Sequence, residues 1–360
     1  MAYTAINKST AHFDTKLYSG NGATGSGQTI TGLGFQPDMT WVKSRGTTDG
    51  HTLQDAVRGF GSTTKLSTYD NSGQNNSSGG SYGNYGYQSA ATSDGFTMVA
   101  GSNPGQNNKS GNNYVSWNWK AGGSTSSNSD GDVTSTVSVN STAGFSIVKW
   151  TNNGNASWIG HGLGTIPHWI LIKSLSNSAS SITAWVNYHQ GMHVTTPEDY
   201  TAYLNNSDAR VDNPVFNDTL PTSTKFRFDS ADTTDYIAYC FAEKAGFSKI
   251  GSYIGNGNAD GPFAYCGFKP TWTMIRRVDN ADNWSVWDNK RNINGYTNYT
   301  LEADTTSAEW SDANFRHEYV SNGFKIRNTF PQTNASGGRY IYIAFGQSLV
   351  GSNNIPCTAG

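Results

Sequence analysis

The sequence is poor in charge, in cysteine, in helical periodicity and in long apolar runs, and each shortage excludes something. Charged residues make up only 14% of the 360 positions, against about 25% in an average soluble protein. Lys and Arg number 24, Asp and Glu 26, and the formal net charge is -2. No long basic block occurs, so nucleic-acid binding through phosphate neutralisation is not expected. The three cysteines, Cys240, Cys266 and Cys357, are too few and too odd in number for a disulfide framework. No Cys/His spacing suggests zinc, and neither a metal nor another cofactor is expected. No run approaches the roughly 20 apolar residues of a membrane helix, so membrane insertion is not expected. Residues Met1 to Lys8 lack an apolar core, so no secretory leader is expected there. Helical spacing of apolar residues is almost absent; Asp55 to Arg58 has room for one turn before Gly59 and Gly61 end it.

What is abundant points elsewhere. Glycine reaches 41 residues and aromatics 13%. A disordered chain would be short of aromatics and high in net charge. Many short strands joined by polar turns give this balance, with aromatics inside and Asn, Gly and Ser in the turns.

The chain also repeats itself three times. Phe13 begins a strand-like run followed by Gly20-Asn21-Gly22, then Gly34-Phe35-Gln36-Pro37 and Trp41-Val42-Lys43. The second copy runs through Gly144-Phe145, Asn153-Gly154, Pro167 and Trp169 to Lys173. The third runs through Gly246-Phe247, Gly255-Asn256-Gly257, Pro270 and Trp272 to Arg276. Each closes on a matching tail: Tyr114 to Trp119, Tyr236 to Phe241 and Tyr340 to Phe345. From the proline to the closing tyrosine is roughly 70 to 80 residues in every copy, a period that sets the architecture.

Alternation within the tails places Val115, Trp117 and Trp119 on one face. Ile237, Tyr239 and Phe241, then Ile341, Ile343 and Phe345, follow suit, which predicts half-buried strands whose bulky face meets a core. Asp94-Gly95 and Asn322-Gly323 predict tight hairpins. In the Ser/Thr/Gly-rich segment from Gly122 to Ala143, Val133, Val137 and Val139 share a face and predict a strand, with Ser135 as its polar member. The predicted fold class is all-β, with three tandem antiparallel β-sandwich, jelly-roll-like domains over residues 1–122, 123–245 and 246–360.

Signals for chemistry are weak. Gly20-Asn21-Gly22-Ala23-Thr24-Gly25 matches GxGxxG, but strand-like Thr29-Ile30-Thr31 follows where a phosphate site needs a helix. Glutamates recur at no shared place, so the paired carboxylates of a glycosidase are not indicated. Asp130 and Asp132 lack the rest of a calcium loop. His161 has no nucleophile elbow to serve, and Gly191 separates His189 from His193, so neither reads as catalytic. No enzyme is expected. The contact candidate is the loop carrying Tyr82, Tyr85 and Tyr87 on a Gly/Ser/Asn frame, which no other copy has; such rings on an adaptable backbone suit ligand contact.

The run Tyr236 to Glu243, followed by Gly246 to Tyr253 and Gly261-Pro262-Phe263, resembles repeats of tail-fibre and other virion proteins of marine bacteriophages. So do Gly34 to Asp38 with Trp41-Val42-Lys43, and Tyr340 to Phe345. The resemblance covers residues 13 to 346. It implies a virion structural protein, a tail-fibre or exterior appendage component that attaches to the host surface and is assembled in the host cytoplasm. Its implied partners are other virion proteins and a host cell-surface glycan or protein, and a homo-oligomer is expected. The resemblance brings no catalytic residues. Gln347 stands where those repeats carry Glu, and no shaft or coiled coil is present. A capsid decoration or cement protein without a receptor role is therefore the first alternative, and a surface-polysaccharide depolymerase the second.

Overall fold

A computed structural model describes residues 4–74, 82–178, 181–292 and 296–349. The fold is all-β and antiparallel, with one short α-turn, Pro331–Asn334, and five 3-10 turns among the described residues. Cys357 lies outside the described residues.

Each repeat builds one large sheet from its own strands. In the first the order is Phe13–Ser19, Asn113–Trp119, Met39–Ser44, Thr52–Asp55 and Leu66–Ser67. The closing strand thus lies between the opening strand and the strand after the proline, pairing with both. The same neighbours recur around Asp235–Phe241 and around Arg339–Gln347. The Ser135–Asn140 strand predicted from the valine alternation pairs with Phe145–Thr151 and extends the second sheet, with Val137 buried. Both expected hairpins form: Tyr87–Thr92 turns into Gly95–Val99, and His317–Val320 into Gly323–Ile326.

One face of each large sheet packs on a small sheet of the same repeat. In the first repeat Tyr18, Val42 and Tyr114 meet Ile30, Phe96 and Met98. The second and third repeats form matching clusters around Trp150 with Phe226 and around Tyr340 with Phe324. The other face is the bulky one, and its position differs from three separate domains. Residues from all three bulky faces, including all nine alternating tail residues from Val115 to Phe345, form a single buried cluster. At one end of it Trp119, Phe241 and Phe345, the equivalent last aromatics of the tails, form a triangle. Their ring centroids lie 6.3, 5.8 and 5.9 Å apart. The three repeats therefore close around a common pseudo-threefold axis.

The physical reason is area. A sheet with large side chains on both faces needs two covers, and the small sheet supplies only one. The other two repeats supply the second. The two ends of the axis differ. At the triangle end the chain's first and last described segments meet, Ser9 N donating to Gln347 Oε1 at 2.5 Å. At the opposite end the large strands run out into long Gly/Asn-rich loops.

Candidate functional site

Polar side chains close the three seams in a cyclic pattern. Asp55 ends the strand after the first repeat's turn, and the register pairs it with Met39. His189 and Asp288 hold the same register against Trp169 and Trp272. Asp55 Oδ2 accepts from Arg58 Nε at 2.6 Å and from Tyr239 Oη of the second repeat at 2.7 Å. Asp288 Oδ2 accepts from Arg291 Nε at 2.6 Å and from Trp117 Nε1 of the first repeat at 3.0 Å. In both, Oδ1 also caps the following turn by accepting backbone N–H groups.

The second repeat carries His189 and Met192 where the others carry Asp and Arg. Its neighbour's position is Ile343, which offers no polar side chain. His189 therefore takes the Gly191 N–H on Nδ1 at 2.9 Å and donates from Nε2 to the Tyr342 carbonyl at 3.1 Å. Burial lowers its pKa to about 3, so it stays neutral, as a residue without a counter-ion must. Each first residue of this strip also reaches the opposite neighbour. Trp185 Nε1 donates to Ser67 O at 2.7 Å, Trp284 Nε1 to Tyr203 O at 2.9 Å, and His51 Nε2 bonds Glu302 O at 2.9 Å. Seam contacts thus run from each repeat to both others.

A buried cation occupies one further shared position: Lys43, Lys173 and Arg276, each in the strand after the proline and fully buried. Burial brings Lys43 to about 8, Lys173 to about 7 and Arg276 to about 10. Lys65, behind the tyrosine turn, falls to about 7 for the same reason. In the unfolded chain a lysine holds its proton to 10.5. Between those values the unfolded state binds more protons, so stability rises with pH. The burial penalty of Lys65 and Lys173 is full below about pH 7 and is gone by 10.5. Urea midpoints are expected to climb from about pH 7 to about 9.5, with a shallower climb in Lys173→Met. A midpoint that is flat over that interval, or a variant with unchanged slope, would contradict these assignments.

At the loop end, a groove of about 480 Å³ lies on the seam between the first and third repeats. Arg45, Thr47, Asn112, Asn113 and Glu309 line it, with Gly46 and Gly111. Arg45 grips Glu309 through Nε at 3.0 Å and Nη2 at 2.7 Å, and Arg291 Nη1 adds a third contact at 3.0 Å. Both carboxylate oxygens are thus held by guanidinium groups. The groove offers amides and an ion pair for hydrogen bonding, not a free acid or base.

The loop 100–112, whose far end reaches the groove, packs against the tyrosine turn. Asn103 N donates to Asn84 O at 2.7 Å, and a Cβ at Gly101 would stand 2.2 Å from Gly83 O, so only glycine admits this approach. Tyr82–Tyr85 forms a 3-10 turn and Tyr87 begins a strand. The side chain of Tyr82 lies outside the described residues. Tyr85 and Tyr87 are half-buried, and the Tyr85 ring has Lys65 Nζ 5.5 Å from its centroid. Both rings are therefore only partly open to solvent.

The other residues weighed in the sequence have structural settings. Gly20 packs against the Lys109 backbone and Gly22 N donates to Asn108 O at 3.0 Å, in a turn leading to the Gln28–Thr31 strand. His161 is buried, bonds Thr222 O at 3.1 Å and has its pKa lowered by burial to about 4. Asp132 accepts the Trp158 N–H at 2.9 Å. Burial pushes the Cys266 thiol up to about 12. Among the described residues no three His, Cys, Asp or Glu side chains are placed to share a metal ion, and no helix is long and apolar enough to cross a membrane.

Sequence reasoning passed over the seam residues. A signal was present: Asp-x-x-Arg follows the proline by 18 residues in the first and third copies, Pro37 to Asp55 and Pro270 to Asp288.

A family model described as a domain of unknown function (DUF7483) matches residues 8–348. The chain belongs to that family. The matched span holds all three repeats, so the DUF7483 unit is the closed ring and not one repeat of it. No curated protein and no solved structure matches the chain.

Proposed function

We propose that this DUF7483 protein is a bacteriophage virion component, part of a tail fibre or other exterior appendage, that contacts the host surface through its loop end. The observation that carries the reading is the division of labour between core and loops. The positions the repeats share are spent on the axis and the seams, while the tyrosine turn has no counterpart in the other copies and the groove is lined by loop residues that the repeats do not share. A rigid frame with unlike loops suits recognition. Several copies on one particle would turn weak contacts into firm adhesion through effective concentration. The resemblance of the repeats to tail-fibre repeats supports the same reading. Other virion proteins would hold the frame, and a glycan or protein of the cell surface would meet the loops.

Labelled antibody against the chain, viewed by electron microscopy on intact particles, tests the location. Label on the appendage is expected; label over the shell would favour a capsid decoration protein instead. Particles carrying Tyr82→Ser, Tyr85→Ser and Tyr87→Ser together are expected to adsorb about tenfold more slowly or worse. Unchanged adsorption would remove the tyrosine turn from the contact surface.

A further inference from the structure

The outer sheet of the third repeat carries a pair of exposed aromatics that the other repeats lack. Its edge strand Phe263–Tyr265 buries Ala264 and turns Phe263 and Tyr265 outward, at 45% and 59% exposure. The register defines the matching positions. Ala264 opposes Phe324 as Ile30 opposes Phe96 and Ile159 opposes Phe226. The first repeat has Thr29 and Thr31 there. The second has Gly160 and Trp158, whose ring is covered by Lys225 Nζ at 5.0 Å and Arg227 Cζ at 5.3 Å. Only the third repeat leaves two rings open.

One of the rings reaches across the sheet. A Cβ on Gly323, across the sheet, would stand 2.9 Å from Phe263 Cε2. The Phe263 ring therefore reaches over that glycine, the register partner of Tyr265. Charged groups rim it. Lys325, the register partner of Phe263, binds Asp260 at 2.9 Å; Arg327 binds Asp260 at 2.7 Å and Glu318 at 2.7 Å.

We infer that Phe263 and Tyr265 form a glycan-binding platform. A sugar ring has an apolar C–H face and a hydroxyl rim, and both are answered here: two exposed aromatic side chains at alternate positions of one strand, their backbone positions about 6.8 Å apart, edged by donors and acceptors in one network. A protein partner fits less well. A stable protein contact needs roughly 1,200–2,000 Å², and two rings bounded by ion pairs are far short of it. The platform gives the attachment reading a ligand class and rests on that reading for its biological setting, but its chemistry is testable on the isolated protein.

The experiment is affinity electrophoresis of the full chain through native gels containing hydroxyethylcellulose, dextran or galactomannan. Retardation in at least one is expected. Phe263→Ala with Tyr265→Ala should weaken it about tenfold. Phe263→Trp with Tyr265→Trp should retain it, and Thr29→Ala with Thr31→Ala should leave it unchanged. No retardation in any gel, or equal retardation of the double alanine variant, would overturn the platform. So would a sedimentation change of that variant without polysaccharide, which would mean the rings join two copies. None of these results bears on the appendage reading, which stands or falls on the particle label.

Discussion

Trp119→Ala is expected to destabilise the whole chain by about 3–5 kcal/mol, the usual range for truncating a fully buried large aromatic side chain. Trp119 is 2% exposed, and its ring meets Phe13, Phe241, Trp272 and Phe345. Those partners belong to all three repeats. The cavity left behind would therefore be shared, and no repeat could repack it alone. The expected signature is not a single weakened repeat. Amide exchange should accelerate together in the tails Asn113–Trp119, Asp235–Phe241 and Arg339–Gln347. Acceleration confined to the first repeat would mean that the bulky faces are not a common core.

The second large effect concerns the seams. Arg58→Met is expected to cost about 3–5 kcal/mol, because it leaves the buried Asp55 carboxylate without its guanidinium. Tyr239 Oη and the backbone N–H groups of Val57 and Arg58 would remain as neutral donors to Asp55, but no cation would offset a carboxylate buried in the seam. Adding Asp55→His to Arg58→Met should restore much of the loss. That pair recreates the His189–Met192 arrangement, which the second repeat already carries without a charge. Urea denaturation of the single and double variants gives both numbers. A double variant no more stable than the single one would mean that the His seam depends on its own surroundings and is not interchangeable with Asp-x-x-Arg.

The period of the repeats, the strand pattern and the Asp-Gly and Asn-Gly hairpins were all legible in the sequence, since each depends on local chemistry. Even Val137 and Ser135 fell on the expected strand. What covers a face is another matter. The alternation Val115, Trp117, Trp119 tells which residues share a side but not whether a small sheet or another repeat lies over it. The seam pairs suffered in a similar way. Asp55 and Arg58 look like an ordinary charged turn until Tyr239, 184 residues away, is placed beside them. The tyrosine turn was conspicuous in sequence, yet Tyr85 and Tyr87 are half-buried. Phe263 and Tyr265 were inconspicuous because exposed and buried aromatics alternate in strands alike, and only the register against Thr29 and Trp158 sets them apart.

The family match agrees with a closed ring as the unit of folding. One model spans residues 8–348, and every seam residue lies inside it. Deleting one repeat would expose two sheet faces at once, so single repeats are not expected to persist as folded domains.

Scanning calorimetry of the full chain tests the shared core most directly. One transition is predicted, with calorimetric and van't Hoff enthalpies equal within error. Two or three resolved transitions, or a calorimetric enthalpy several times the van't Hoff value, would show that the repeats unfold separately and that the axis is a contact between independent domains.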